Sequence, residues 1–394
     1  MIDQGSEASS ENLYQTILKL QFPKHPLSSG IGLKDASRIL SEAMHERRIA
    51  VREQGFVLHD GGDTFWNIVG SCGPVGTDPA WVIIAHYDTV DGSPGANDNA
   101  SGISVMLETA RLLAAMDNPP PVYFVAATLE ESSSPLYAGR EAVSARNHGL
   151  VDKNGRFMTW EYARQKKHIQ KRAMQFFLAG GNQGNGYRMI LKEDGNSLHP
   201  SMRNHLEDLA EIYADIDPDS AIGRRSRIGS TRWVEDTLKH GIPLAGCIAL
   251  DEIGIYSDQP GSQPPNAQID FNKFTSGYRL QEYERVANFL LILSNNDSKE
   301  LGDRFEEQCR KPEIEMPYAR AHLPFSYKQI VQNLPKALSS DHAPFWKYGI
   351  PALFLFDTST PRDFWNHTPA DTLDKLDFKR MKVVANALYL FLSS

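Results

Sequence analysis

The sequence has 394 residues, of which 41% are hydrophobic and 23% are charged, so a sizeable folded core is expected. Its formal net charge of −8 argues against a nucleic-acid partner, because proteins of that class usually carry a basic surface. No apolar run approaches the roughly 18 residues that a membrane span requires, and the polar N-terminus lacks the apolar segment of a secretory signal. We therefore expect a cytoplasmic protein without a membrane partner, although an exported form that has lost its signal stays open.

The predicted elements are typical of an α/β protein. An amphipathic helix is predicted first, over residues 33–53. Four short apolar runs without polar alternation then predict parallel strands covered on both faces, at residues 81–85, 122–127, 247–250 and 352–356. Apolar stripes with helical spacing predict one helix between the first two strands and another at the C-terminus. The sequence therefore predicts an α/β fold with a mostly parallel central sheet flanked by helices.

A long polar region separates the second predicted strand from the third. Residues 135–226 contain helical stretches, a Gly/Asn-rich stretch at 180–186 that predicts a flexible turn, and an acidic stretch at 207–219. We expect a single catalytic domain over residues 1–394, with residues 135–226 as an inserted subdomain or lid. Because its helices are polar, we expect the insertion to bury no large core of its own. It would then pack on the rest of the chain or on a second subunit.

Acidic and imidazole side chains follow every predicted strand. They are His86 and Asp88 after the first strand, Glu130 and Glu131 after the second, Asp251 after the third and His367 beyond the fourth. Asp98 lies where the first crossover helix begins. Because the functional crevice of an open α/β sheet lies at the carboxyl ends of its strands, we expect these groups to converge.

Two imidazoles and several carboxylates without a thiolate form a donor set suited to Zn²⁺ or a similar divalent cation. So many carboxylates would not all stay ionised together without cations between them. The spacing of His86 and Asp88 on an extended strand puts both side chains on one side, where Asp88 can orient the imidazole. Neighbouring glutamates diverge, so one of Glu130 and Glu131 can bind metal while the other serves as general base.

The motifs "HYD", "GANDNASG", "EE", "LDEIG" and "FWNHTPADT" occur in this order and resemble those of the co-catalytic dizinc aminopeptidases. Bacterial leucyl aminopeptidase and aminopeptidase Y belong to that family, and glutamate carboxypeptidase and the glutaminyl cyclases are its relatives. The resemblance covers residues 80–131 and 228–394. It implies a zinc-dependent exopeptidase fold, a peptide substrate and two Zn²⁺ ions per chain.

The resemblance also implies a metal ligand set. Asp98 would bridge two metals, His86 and Asp251 would complete one site, and Glu131 and His367 would complete the other.

Four further residues receive roles from the resemblance. Glu130 would be the general base and Asp88 would orient the histidine of the "HYD" motif. Within "SSDHAPF", Asp341 would lie just behind the metal ligands, whereas His342 is better explained as a structural residue that satisfies a local hydrogen bond.

The sequence departs from the family pattern at two places. Relatives usually have a methionine where this chain has Glu252, and Asp251 is chosen as the ligand because adjacent side chains on a strand face opposite ways. About 90 extra residues also separate the Glu-Glu pair from Gly229.

An aminopeptidase is the leading interpretation of the function, and three alternatives stay open. These are a carboxypeptidase, a single-zinc glutaminyl cyclase and a non-catalytic binding module on a peptidase fold. The complete set of five ligands favours hydrolysis over cyclisation, and an intact Glu130 argues against a dead enzyme.

Overall fold

The computed structural model describes residues 7–26, 28–58, 62–131, 135–152, 157–178, 183–214, 226–263, 275–277, 286–314, 317–359 and 365–394. Within these ranges a nine-stranded sheet runs in the order β1-β2-β4-β3-β5-β9-β7-β8-β6. The strands are β1 (Ala50–Val57), β2 (Thr64–Cys72), β3 (Ala80–His86), β4 (Val122–Ala127), β5 (Leu244–Leu250), β6 (Thr275–Gly277), β7 (Leu290–Ser294), β8 (Tyr318–His322) and β9 (Ala352–Phe356).

The four strands predicted from apolar runs form the centre of this sheet. They are β4, β3, β5 and β9, which are adjacent and mutually parallel. Their carboxyl ends therefore lie along one edge, as the α/β prediction required, and the fold class is confirmed. Antiparallel pairs flank the parallel centre, because β2 runs against both β1 and β4 and β7 runs against β9.

Helices pack on both faces of the sheet, and a further group of helices lies within residues 135–226. The described helices are α1 (Ser10–Leu20), α2 (Gly30–Glu46), α3 (Gly102–Ala114), α4 (Pro135–Asn147), α5 (Trp160–Leu178), α6 (Gln183–Asp194), α7 (Pro200–Ile212), α8 (Ile228–Lys239), α9 (Lys299–Cys309), α10 (Tyr327–Asn333), α11 (His342–Lys347) and α12 (Phe378–Leu392). No described helix is both long enough and apolar enough to cross a bilayer.

Alternate residues of each central strand enter two different hydrophobic cores. Ile83 and Phe124 belong to the core that also contains residues of α1, α2, α3, α9 and α12, whereas Val82 and Val125 belong to the core that contains residues of α8, α10 and α11. This burial on both faces explains why the central strands read as unbroken apolar runs. The helices predicted after the first strand and at the C-terminus are confirmed as α3 and α12.

The helix predicted over residues 33–53 is wrong in its second part. Helix α2 ends at Glu46, Arg48 adopts a left-handed φ of 60°, and β1 begins at Ala50. Strand β1 pairs with β2 over its full length, from Ala50 opposite Ser71 to Val57 opposite Thr64. Pairing with β2 supplies hydrogen bonds to this edge segment, so tertiary context overrides the helical preference of its charged residues.

Helices α4 to α7 lie in the described part of residues 135–226, and this region does bury a core of its own. Twelve described residues make up this cluster, which is separate from the two sheet cores and includes Ile169, Ile190, Met202 and Leu206. The expectation that polar helices bury no large core was therefore wrong. The apolar residues are spread over several helices, so no single stretch of sequence looks hydrophobic.

The Gly/Asn-rich stretch is also not simply a turn. Residues 179–182 lie outside the described residues, and α6 begins at Gln183. A Cβ atom at Gly184 would come within 2.7 Å of the Tyr213 carbonyl oxygen, so this glycine lets α6 approach the end of α7 closely. In the acidic stretch, residues 207–212 belong to α7 and residues 215–219 lie outside the described part.

Candidate metal centre

The carboxyl ends of the central strands bring the predicted site residues together. His86 is the last residue of β3, Asp251 follows β5 directly, and Glu130 and Glu131 follow β4 within four residues. His86, Glu130 and Glu131 have side-chain ligand atoms within 4.8 Å of one another. His367 reaches the same cluster from the segment after β9. Residues that are far apart in sequence thus meet because neighbouring parallel strands end at one edge.

Asp98 lies between two groups of potential ligands. Its Oδ1 atom is 3.2 Å from Nε2 of His86, which is itself 3.3 Å from Oδ1 of Asp251. Its Oδ2 atom is 2.9 Å from Nε2 of His367, which is 3.4 Å from Oε1 of Glu131. One carboxylate therefore presents one oxygen to each group, as a carboxylate that bridges two cations must.

The electrostatics of this cluster fit a site for divalent cations. Burial raises the pKa of Glu131 to about 8. Hydrogen bonds to Asp98 and Glu131 raise the pKa of His367 to about 11. Burial by itself lowers the pKa of His86, but Asp251 and the other nearby carboxylates raise it well above its usual value. Protons thus offset the carboxylate charge in the protein alone, and divalent cations on the same oxygen and nitrogen atoms would replace them.

Glu130 differs from the other carboxylates of the cluster in its contacts. Its side chain is buried, and its Oε1 atom has no hydrogen-bond partner within the described residues. Burial raises its pKa well above the usual value. A buried carboxylate oxygen without a hydrogen bond can accept a proton, as a general base requires.

Asp88 organises the main chain of the glutamate pair. Its two carboxylate oxygens accept the N–H groups of Glu130 at 3.0 Å and Glu131 at 3.2 Å. Nδ1 of His86 lies 3.2 Å from the Asp88 carbonyl oxygen and 3.7 Å from its carboxylate. The imidazole is thus positioned by the main chain of Asp88, and the Asp88 carboxylate fixes the segment after β4.

Asp251 and Glu252 point in different directions. Asp251 faces His86, whereas the Glu252 carboxylate accepts hydrogen bonds from Ser359 at 3.2 Å and from Asn366. Asn366 immediately precedes His367, so Glu252 holds the segment that carries this imidazole. A methionine at this position would lack that acceptor.

Three residues around the cluster adopt left-handed backbone conformations. Their φ values are 56° for Leu129, 53° for Glu252 and 60° for His367. Non-glycine residues rarely adopt this conformation, and such residues concentrate at functional sites, where the surrounding structure holds them in place. Leu129 directly precedes Glu130, Glu252 directly follows Asp251, and His367 is itself a predicted site residue.

Asp371 is a residue of the candidate site that the sequence patterns do not single out. Its carboxylate accepts the N–H groups of Asn97 at 2.8 Å and Asp98 at 3.1 Å. It therefore fixes the turn that presents Asp98 to both ligand groups. The only signal available was its place in the motif "HTPADT", because its partners are more than 270 positions away.

Asp341 and His342 lie behind the cluster. Asp341 is buried, and burial raises its pKa to about 6. His342 Nε2 lies 2.8 Å from the Ala337 carbonyl oxygen, and its ring stacks on Phe354 with a centroid separation of 4.6 Å. Burial lowers the pKa of His342 to about 3, so this ring is a neutral part of the core.

An α/β sheet with an imidazole–carboxylate cluster at the ends of its parallel strands is an arrangement expected of a metal-dependent hydrolase. Consistent with this class, the family model of Peptidase family M28 matches residues 67–221 and 273–392. These two ranges cover well over half of the chain. The chain therefore belongs to peptidase family M28, and the family resemblance seen in the sequence is confirmed.

Two curated proteins are similar to this chain. "Uncharacterized protein YfbL" of Escherichia coli K12 is 23% identical over 396 residues, covering 98% of this chain and 88% of that protein. "Aminopeptidase YwaD" of Bacillus subtilis 168 is 53% identical over 49 residues, which are 12% of this chain and 11% of that protein.

Solved structures share the fold at low sequence identity. LapA aminopeptidase of Legionella pneumophila is 16% identical with a TM-score of 0.56, over 98% of this chain and 71% of that chain. Glutaminyl cyclase of Porphyromonas gingivalis is 15% identical with a TM-score of 0.54, over 98% of each chain. At these identities the likeness concerns the fold.

Proposed function

We propose that this protein is a metal-dependent aminopeptidase that uses two Zn²⁺ ions. The observation that carries the proposal is the position of Asp98, whose two oxygens face separate groups of ligands. Family membership supports peptide-bond hydrolysis. The similarity to aminopeptidase YwaD and to LapA supports cleavage beside a free amino terminus.

Five side chains would hold the cations. His86, Asp251 and Oδ1 of Asp98 would form one site, and His367, Glu131 and Oδ2 of Asp98 would form the other. When bound, such cations make a water molecule more acidic and polarise the carbonyl group of the scissile bond.

Glu130 would move the proton in this reaction. Its Oε1 atom would accept a proton from the attacking water and later return it to the leaving amine. Asp88 supports this step because it fixes the N–H groups of Glu130 and Glu131 and so limits the movement of the base. The burial of Glu130 excludes bulk water from the proton that it carries.

A panel of substrates tests the proposal. Zinc-loaded protein is expected to hydrolyse an aminoacyl-anilide and a short peptide, and to lose that activity on treatment with a chelator. The same peptide with an acetylated amino terminus is expected to resist cleavage, and a peptide with a blocked carboxyl terminus is expected to be cleaved. Release of the C-terminal residue would indicate a carboxypeptidase. Cyclisation of an N-terminal glutamine without hydrolysis would indicate a cyclase.

We also propose that residues 135–226 form a lid over the cleft. The insertion begins just after Glu131, and the chain returns where the Arg227 N–H donates to the Glu130 carbonyl oxygen at 2.9 Å. The Gly229 N–H donates to the Thr128 carbonyl oxygen in the same segment, and a Cβ atom at Gly229 would come within 2.1 Å of that oxygen. Both connections of the insertion thus lie beside the proposed base.

Replacing residues 140–226 with a short Gly/Ser linker tests the lid. This variant keeps Arg227, whose N–H bonds to the end of the β4 segment. The replaced residues contain most of α4 and all of α5 to α7, together with a hydrophobic core that is separate from the sheet. We expect the variant to fold, to retain its metal and to cleave long peptides faster relative to dipeptides than the intact chain does. Unchanged kcat/KM and unchanged length preference in the folded variant would reject the lid.

A cytoplasmic location is part of the proposal. Cys72, Cys247 and Cys309 are all free thiols, as expected in a reducing compartment. Fractionation of source cells tests it, and recovery of the protein outside the cytoplasm would contradict it.

A further inference from the structure

A buried lysine lies next to the segment that carries two of the site carboxylates. Lys24 follows α1 and is 1% exposed. Its Nζ atom donates hydrogen bonds to the carbonyl oxygens of Leu20, Phe22 and Pro94, each at 2.8 Å. All three donors of the ammonium group are therefore used, and one of them connects the end of α1 to the segment before Asp98.

The main chain around Lys24 makes further contacts with the same segment. The Lys24 N–H donates to Oγ1 of Thr89 at 2.9 Å, and the Thr89 N–H donates to the Lys24 carbonyl oxygen at 3.4 Å. Farther along, the Ser28 hydroxyl donates to Asp91 at 2.5 Å. Lys24 and Ser28 thus join the segment after α1 to residues 88–95 at several points.

The residues of the 88–95 segment that Lys24 contacts lie close in sequence to Asp88 and Asp98. Thr89 directly follows Asp88, and Pro94 lies four positions before Asp98. The ammonium group also shares its surroundings with the acidic cluster. Burial lowers the pKa of Lys24 to about 7, and Asp371, Asp88 and Asp98 oppose that shift.

We propose that Lys24 is a positioning residue of the metal centre: by fixing residues 88–95, it holds Asp98 where both cations can share it. The inference rests on the proposed function, because it assumes that Asp98 is a metal ligand. A solely structural role, as an anchor for α1, predicts a less stable protein whose folded fraction binds zinc normally.

Two variants at this position separate the hydrogen bonds from the bulk of the side chain. Lys24→Met and Lys24→Gln have side chains of equal reach, but only glutamine retains N–H donors. Thr89→Val removes the Oγ1 atom that accepts the Lys24 N–H and leaves the Lys24 side chain unchanged. Arg47→Met is the matched control, because Arg47 is a half-buried cation that ties α2 to Thr16 of α1 and has no contact with residues 88–95 among its hydrogen bonds.

Zinc affinity is measured for each folded protein by competition with a chelator, together with unfolding in urea. Loss of a partner that orients a metal ligand costs about 10- to 100-fold in metal affinity, so this loss is expected for Lys24→Met. A smaller loss is expected for Lys24→Gln and Thr89→Val, and none for Arg47→Met. If Lys24→Met does not fold, the Lys24→Gln and Thr89→Val affinities decide.

Normal zinc affinity in the folded Lys24 and Thr89 variants would overturn the inference, even if these proteins were less stable. An equal loss in Arg47→Met would overturn it too, because the effect would then follow from loosening the N-terminal helices. Failure of the wild-type protein to bind zinc would instead overturn the proposed function, and this inference with it. The wild-type measurement therefore distinguishes the two failures.

Discussion

Glu130→Gln is expected to lower kcat by about 10²- to 10⁴-fold and to leave KM and metal content close to those of the wild type. Glutamine has almost the same shape but does not accept a proton at neutral pH. The Glu130 N–H still donates to Asp88, so the segment after β4 keeps its conformation. The substitution replaces the carboxylate, whose Oε1 atom has no hydrogen-bond partner among the described residues, with a neutral amide.

Glu306→Gln is the matched control for this experiment. Glu306 is also a buried glutamate, but it accepts hydrogen bonds from Arg310, just after α9, and from Tyr318 of β8. Its substitution is expected to lower stability without a change in kcat. Turnover of Glu130→Gln within about tenfold of the wild type, a barrier change below ~1.4 kcal/mol, would contradict the role of Glu130 as the base.

Asp98→Ala is expected to abolish tight binding at both cation sites, whereas Asp251→Ala is expected to weaken only one. The difference follows from the contacts, since Asp98 reaches both His86 and His367 and Asp251 reaches only His86 among the ligand imidazoles. Loss of Asp98 also removes the negative charge placed between the two cations. Equal metal loss in both variants would contradict the bridging role of Asp98.

The site was largely predictable because its residues follow a rule of the fold. His86 and Asp251 are 165 positions apart, yet His86 ends and Asp251 directly follows a strand whose apolar run is visible in the sequence. Parallel strands that are buried on both faces produce such runs, and adjacent parallel strands end together. The strand runs and the charged residues after them thus predicted a cluster before any distance was known.

The sequence predicts the strands that flank the parallel centre less clearly than the central strands. Strand β1 is largely exposed, and its charged residues Arg52 and Glu53 fit a helix pattern as well as an edge strand. Its strand conformation depends on pairing with β2, which the local sequence does not encode. Strand β7, by contrast, is as apolar as the central strands, so its sequence carries the same strand signal although it is not among the four predicted strands.

Residues that position the site were the hardest to predict. Lys24 donates to three main-chain carbonyl oxygens, and such acceptors have no sequence signature. Asp371 accepts main-chain N–H groups of the turn at Asn97 and Asp98. Both roles depend on where the chain folds back on itself, so only the three-dimensional structure reveals them.

The number of zinc ions that the wild-type protein retains tests the central claim most directly. The apoprotein is saturated with Zn²⁺, freed of excess metal by dialysis and measured by elemental analysis, with Asp98→Ala and Asp251→Ala in parallel. Two ions per wild-type chain, one in Asp251→Ala and none in Asp98→Ala are the values that the geometry of Asp98 predicts. A wild-type chain that retains one ion or none at saturation would contradict a two-cation site.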